Sequence, residues 1–491
     1  MIKNVIANYI SKLWVFASIY LFIPIYIKFL GVESYGVINF YTVILSILLF
    51  ADAGLSATLS REFARSTDRI YSRNLLHTIE RLYFVIIGVI IIALIFFSDT
   101  IVEKYLHSNL IPKEKLSICV KLMGVGIAFQ FITTLYYSGL MGLQKQVLAN
   151  TINVFWSFFR TGIVLVLLYI YPSLYTFFIW QIISNIIFFL IMRLQLWKEI
   201  KADHSPQFKF EIIKTVGKFA LGMMAMSIIS SLNTQVDKLV VSKYLSLEQF
   251  GLYSLAAVIS QISILVITPL SMAILPNLTK HVEEKKFDEI KKIFNLNSYV
   301  VSTIVSITTI ALLMFTKEII YIWTGNESIS NSLEIIVKVL LLGTSFLALQ
   351  FMPYILAISN GHTKTNIKMG VISVIIIIPS LIYCINKFGL IGATYPWLIL
   401  NFISTFCLGY FILKMFMKGE FNTWLFKNTI LPFVISGIPG FIIYYLTKDM
   451  KKGIYVIGYC IVFGLSALFC NLLAYNFLNK KNRITFNFVN K

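Results

Sequence analysis

Charged side chains are scarce in this chain: Asp, Glu, Lys and Arg make up 13% of its 491 residues, against roughly 25% in soluble domains. That scarcity excludes an ordinary water-soluble surface. Cysteine numbers five, and Cys119, Cys384, Cys407, Cys460 and Cys470 all fall in or beside apolar runs without metal-ligand spacing. A disulfide framework and a zinc site are therefore not expected, and these cysteines read as packing residues. Histidine also numbers five. His77, His107, His204, His281 and His362 lie in connections between apolar runs, so no membrane-embedded histidine base or metal centre is expected. No P-loop, GxSxG elbow or HExxH pattern occurs, so neither ATP hydrolysis nor those hydrolase chemistries are indicated. The longest connections, about twenty residues, are too short for a soluble domain of the usual ~50 residues or more. No catalytic residue, metal or cofactor is assigned, and any chemistry belongs to a helical bundle or its faces.

What the chain does have is apolar length, with 58% hydrophobic residues. Stretches of the ~20 residues that cross a bilayer as helix fall at 5–29, 36–60, 79–97, 116–142, 147–170, 174–192, 216–244, 250–278, 294–316, 333–359, 368–386, 391–416, 429–447 and 454–478. The expected fold class is an all-α integral membrane protein of about fourteen spans. The first apolar run is too long for a signal-peptide core and is expected to be retained. Leu30-Gly31-Val32-Glu33-Ser34-Tyr35-Gly36-Val37 recurs 215 residues later as Leu245-Ser246-Leu247-Glu248-Gln249-Phe250-Gly251-Leu252. The same shift carries the first six spans onto spans seven to twelve, so an internal duplication is expected. Six helices per copy make the copies run in the same direction. The expected division is a first lobe over 1–197, a linker over 198–215, a second lobe over 216–417, and an unduplicated helix pair with a tail over 418–491.

A net charge of +20 could signal nucleic acid, but its distribution argues for membrane topology instead. With a cytoplasmic N-terminus, segments assigned inside carry 27 Lys and Arg and those assigned outside carry 10. Both termini are thus expected in the cytoplasm of a cell with this protein in its cytoplasmic membrane.

The remaining five cations, Lys12, Lys121, Arg160, Lys238 and Lys338, fall within spans together with Asp52 and Asp237. Each such charge costs roughly 2.5–3.5 kcal/mol at mid-bilayer, which makes it a candidate site facing protein or water. Lys12 and Asp52 lie at depths where they could meet as an ion pair. Lys121, Lys238 and Lys338 are near enough to an interface to snorkel. Arg160 is central, and its permanent charge suits recognition of phosphate or carboxylate rather than proton shuttling. Five cations against two carboxylates point to an anionic cargo, with Asp52 and Asp237 as candidates for ion coupling and Asp237 preferred. Span seven adds Asn233 and Gln235 to a polar run expected to line an interior. Gly54 in span two and Pro269 in span eight occupy equivalent repeat positions, so bends are expected at both.

Phe29 to Gly36, Ala51-Asp52-Ala53-Gly54-Leu55, the basic segment from Arg61 and the second copy over Tyr244 to Leu255 resemble bacterial polysaccharide-unit flippases of the Wzx type. Their superfamily also holds the multidrug and toxic compound extrusion transporters and the lipid II flippases. The resemblance implies two six-helix lobes, with spans one, two, seven and eight lining a central cavity, and an alternating-access cycle. It implies an undecaprenyl-diphosphate-linked oligosaccharide as cargo, moved between leaflets for O-antigen, capsule or a related glycan, with membrane lipids and other polysaccharide-assembly proteins as partners and no nucleic acid. By resemblance, Lys12, Asp52, Asp237 and Lys238 sit on the cavity-lining spans. A small-molecule or drug exporter of the same fold is the main alternative, and a membrane-embedded polysaccharide polymerase or acyltransferase is a third.

Overall fold

A computed structural model describes residues 14, 17–18, 20–66, 68–448, 450 and 453–478. The described residues are helical almost throughout. In chain order the helices are α1 (Tyr20–Leu30), then α2 (Val32–Arg65), α3 (Arg69–Phe96), α4 (Ser98–Tyr105), α5 (Lys113–Gly142), α6 (Gln146–Thr161), α7 (Ile163–Ile170), α8 (Leu174–Glu199), α9 (Phe210–Tyr244) and α10 (Leu247–Ser260). They continue as α11 (Ile262–Glu283), α12 (Phe287–Met314), α13 (Thr316–Thr324), α14 (Glu327–Leu349), α15 (Phe351–Ser359), α16 (Lys364–Gly392) and α17 (Tyr395–Phe416). A π-helical segment over Thr423–Ile430 leads into α18 (Leu431–Thr447), and α19 (Tyr455–Leu478) ends the described chain. Among the described residues, twelve helices are long and apolar enough to cross a membrane. The shorter apolar α1 and the 35-residue α9 lie at the first and seventh expected spans.

Two compact units divide the chain, Met1–Gly251 and Leu252–Lys491. In the first, α5 is the central helix, packed against α2, α3, α4 and α8. Its apolar side chains are spread around the helix rather than set on one stripe, which is what a helix surrounded by other helices requires. Its buried side chains run from Leu116 through Met123, Ile127 and Phe131 to Leu140. The long α9 packs along α2 in this same unit, although the expected second copy begins with it.

Close backbone approach explains the glycines of the repeated phrase. A Cβ on Gly36 would stand 2.5 Å from the Leu247 carbonyl oxygen, and a Cβ on Gly251 would stand 2.6 Å from that of Val32. Val32 and Leu247 are themselves repeat counterparts, so the two copies of the phrase pack on each other reciprocally. The loop after α4 ties both in place: Ser108 Oγ donates to Glu33 at 2.6 Å, and Leu247 N donates to the His107 carbonyl at 2.7 Å.

At Gly54, where a bend is expected, the helix is not interrupted. The glycine admits the backbone of α9, since a Cβ there would overlap the Ala220 carbonyl. Without a hydrophobic driving force between helices in lipid, such small-residue approach is what holds them together. Pro269 does lie inside α11, while the interruption of span eight falls earlier, at Gln261 between α10 and α11. Gly54→Ala is therefore expected to destabilise the fold by about 1–3 kcal/mol through overpacking. Gly88→Ala, with open space around its Cβ position, should leave thermal unfolding in detergent unchanged. Equal melting temperatures for the two variants would contradict this packing.

The second unit is built on α12, which touches α11, α14, α18 and α19. The unduplicated pair α18 and α19 is attached to it by a buried polar set. Ser306 and Ser436 hydroxyls lie 2.8 Å apart, Asn471 Nδ2 donates to Ser436 at 2.9 Å, and Tyr299 OH donates to the Asn471 carbonyl at 3.0 Å. Trp424, 1% exposed, fills the space beside Gly409 of α17. Two of the five histidines are not in connections: His77 lies in α3 and His281 in α11, because both helices run beyond their apolar cores.

Candidate functional site

Span five is interrupted at Gly162, so that Arg160 stands in the last turn of α6 just before the break. Its Nη1 donates to Gln130 Oε1 of α5 at 2.8 Å, and the guanidinium carbon lies 4.8 Å over the ring centre of Trp156. Tyr41 OH of α2 donates to the same Gln130 oxygen at 3.1 Å. Trp156 is held in turn by Asn185 at 3.3 Å, and Asn185 by the Gly126 carbonyl at 2.8 Å. The guanidinium is half-buried, its Nε has no hydrogen-bond partner, and among the described residues no carboxylate lies within ion-pair distance of it. A cation placed this way in a low-dielectric interior is poorly compensated, and an anion brought to it would be strongly attracted.

One helical turn further along α5, Thr134 donates to Asp52 Oδ2 at 2.7 Å. Ser56 donates to the same oxygen at 2.6 Å, and Tyr83 OH of α3 donates to Oδ1. Asp52 is 3% exposed, and its carboxylate is thus caged by hydroxyls from α2, α3 and α5. Gln130 and Thr134, four residues apart, share a face of α5. The helix therefore carries the Arg160 cluster and the Asp52 cage in consecutive turns. Tyr137 extends the polar series by donating to Asn150 of α6 at 3.1 Å.

The other candidates are less closely associated. Lys12 lies outside the described residues, so its pairing with Asp52 is not described. Lys121 is half-buried on α5, nine residues before Gln130. On α9, Asn233 and Asp237 are half-buried, and Lys238 Nζ donates to Gln235 at 3.3 Å. Lys338 is matched by Glu334 at 2.5 Å, a pair with side chains 36% and 34% exposed. The count of five cations against two carboxylates leaves out charges of both signs near the ends of the spans, the cations Arg81 and Arg193 among them. Glu334 and Glu80 also belong to span-forming helices, and Glu80, 3% exposed, pairs with Arg193 at 2.6 Å. Among the described residues Arg160, like Lys121 and Lys238, has no carboxylate within ion-pair distance, and it differs from those two lysines in being stacked on Trp156 and bonded to Gln130 of a neighbouring helix. The sequence reading missed Gln130, Tyr41, Tyr83 and Thr134. Their only signal was a polar atom inside an apolar run.

This all-helical arrangement is a transporter fold. Over 97% of this chain and 100% of the other, it is similar to the lipid II flippase MurJ in an inward closed conformation, with a TM-score of 0.78 at 17% identity. It is also similar to an inward-facing multidrug resistance MATE family transporter of the MOP superfamily, with a TM-score of 0.66 at 14% identity over 83% of this chain and 94% of that one. The sequence matches the family described as "Polysaccharide biosynthesis protein" over residues 1–282, and the chain belongs to that family. Residues 223–383 match a second description, MatE. A Shigella flexneri protein named "Putative O-antigen transporter" is 24% identical over 391 residues, 79% of this chain and 91% of that relative. The chain is a multi-pass membrane transporter and not an enzyme.

Proposed function

We propose that this transporter is a flippase, carrying an undecaprenyl-diphosphate-linked oligosaccharide from the cytoplasmic to the outer leaflet by alternating access, for O-antigen or capsule-type polysaccharide assembly. The observation that carries this reading is Arg160, an intramembrane guanidinium with no carboxylate partner among the described residues, stacked on Trp156 and aligned by Gln130. Such a group suits a diphosphate, whose oxygens accept charge-assisted hydrogen bonds from the fork of an arginine. Family membership and the names of the Shigella relative and of MurJ support a lipid-linked glycan as cargo. In this reading the first lobe spans 1–197, the linker 198–215 and the second lobe 216–417. The protein works in a bacterial cytoplasmic membrane with both termini inside, beside other polysaccharide-assembly proteins.

A drug exporter of the same fold is the second reading, favoured by the MatE match over 223–383. Deleting the protein separates the two. Accumulation of the lipid-linked glycan in the inner leaflet supports the flippase. Undisturbed glycan export with heightened sensitivity to a small toxic compound would support the exporter.

A further inference from the structure

The end of the first unit where α8 finishes and α3 begins holds a second charged cluster, separate from Arg160 and Asp52. α3 supplies Arg73, His77 and Glu80, whose spacings of four and three set them along one helix face. α8 supplies Arg193 and Trp197, one turn apart. Buried Glu80 accepts from Arg193 Nε at 2.6 Å, from Tyr136 OH at 2.5 Å and from Trp197 Nε1 at 3.4 Å. The Arg73 guanidinium carbon lies 5.7 Å from the centre of the Trp197 ring, and His77 meets that ring edge-on at 6.5 Å. Arg73 Nη1 is anchored on the Ala202 carbonyl at 2.6 Å. Arg193 is thus paired with Glu80, while Arg73 has no carboxylate within ion-pair distance among the described residues, so the cluster keeps a net positive charge.

The cluster opens to the side of the bundle. Arg193 uses Nε for Glu80 while its side chain stays 39% exposed. Its neighbours on α8, Leu190 and Leu194, are 46% and 64% exposed, as side chains that meet lipid are. Basic pockets between transmembrane helices near the ends of spans hold lipid headgroups. Tryptophan settles at the same depth.

We propose that Arg193, Arg73 and Trp197 form a binding site for the phosphate of an anionic bilayer phospholipid, with Glu80 as the positioning residue that turns the free edge of Arg193 outward. The lipid's chains run beside Leu190 and Leu194, so it reaches the site without leaving the bilayer. A cargo with a bulky glycan needs a hydrated route that this apolar flank does not provide. The proposal requires only that the chain spans a bilayer, and it stands or falls separately from the flippase reading.

Native mass spectrometry of the full-length protein, titrated with phosphatidylglycerol or phosphatidylcholine, tests it. Wild type should retain phosphatidylglycerol about tenfold more strongly, the scale of a charge-assisted contact to phosphate. The double variant Arg193→Gln with Glu80→Gln, which removes both members of the pair and leaves no buried lone charge, should lose that preference. Arg73→Gln, which leaves the Glu80–Arg193 pair intact, should weaken it by about threefold and serves if the double variant does not fold. Equal retention of the two lipids by wild type, or an undiminished preference in a folded variant, overturns the proposal. It is also overturned if the variants keep phosphatidylglycerol and lose undecaprenyl diphosphate, which would make this a cargo site.

Discussion

Arg160→Ala is expected to lower export of the lipid-linked glycan by about ten- to a hundredfold, the loss of one hydrogen-bonded charge worth roughly 1.5–3 kcal/mol. Arg160→Lys should keep part of the activity, because it retains the charge but not the planar fork. Gln130 lets the structure sharpen the expectation. Its Oε1 accepts from both Arg160 and Tyr41, so Gln130→Leu leaves the charge in place while removing what aligns it. If Arg160 binds cargo, Gln130→Leu should fall between Arg160→Lys and Arg160→Ala in a flipping assay on reconstituted protein. Were Arg160 only a structural tie to Gln130, the leucine and alanine variants would lose equal activity and equal thermal stability. Full export by correctly inserted Arg160→Ala would remove the residue from the site.

The parts of this molecule that sequence reveals are those written in long apolar runs. A run of about twenty such residues has few fates other than a membrane span, so nearly every long helix is legible, and the recurring phrase that contains Gly36 and Gly251 is visible as spacing. Their reciprocal packing was not legible, because spacing along a chain says nothing of how closely two backbones approach. Gly54 shows the same limit: glycine permits a bend and permits close contact, and only the structure reveals the Ala220 carbonyl beside it. The short α4 and α13, which begin at Ser98 and Thr316, are too brief to register as spans. Arg160 was legible because charge in a span is costly. Gln130, Tyr41 and Thr134 are neutral, cost less to bury, and become visible only once α5 brings them against Arg160 and Asp52. Glu80 and Glu334 sit close to span ends, where a carboxylate looks like part of a loop.

An imposed inside-negative voltage is expected to drive the outward flip by itself. A diphosphate carries about two negative charges, and 2.3 kcal/mol per charge per 100 mV gives about 4.6 kcal/mol, more than a thousandfold in its equilibrium distribution. That holds if no cation crosses with the cargo. A proton or sodium ion entering in exchange would need a carboxylate, and Asp237 and Asp52 are the candidates. The sequence favours Asp237 if Asp52 is tied to Lys12, but the hydroxyl cage makes Asp52 a chemically competent proton site. Thr134 Oγ1 lies 2.7 Å from Asp52 Oδ2 and 2.6 Å from the Phe131 carbonyl. Its single hydrogen can serve the carboxylate when Asp52 is ionised and turn to the carbonyl when Asp52 is protonated and donates instead. In proteoliposomes loaded with lipid-linked oligosaccharide, the voltage account expects flipping that follows the imposed potential, ignores pH and sodium gradients, and survives in both Asp52→Asn and Asp237→Asn. Flipping that follows a pH gradient in wild type and loses that response in Asp52→Asn alone would instead make the cage the coupling site. The account in which voltage suffices by itself would then fail, because flipping would require proton entry, and each proton carried inward adds to the charge that the potential already moves in the same direction.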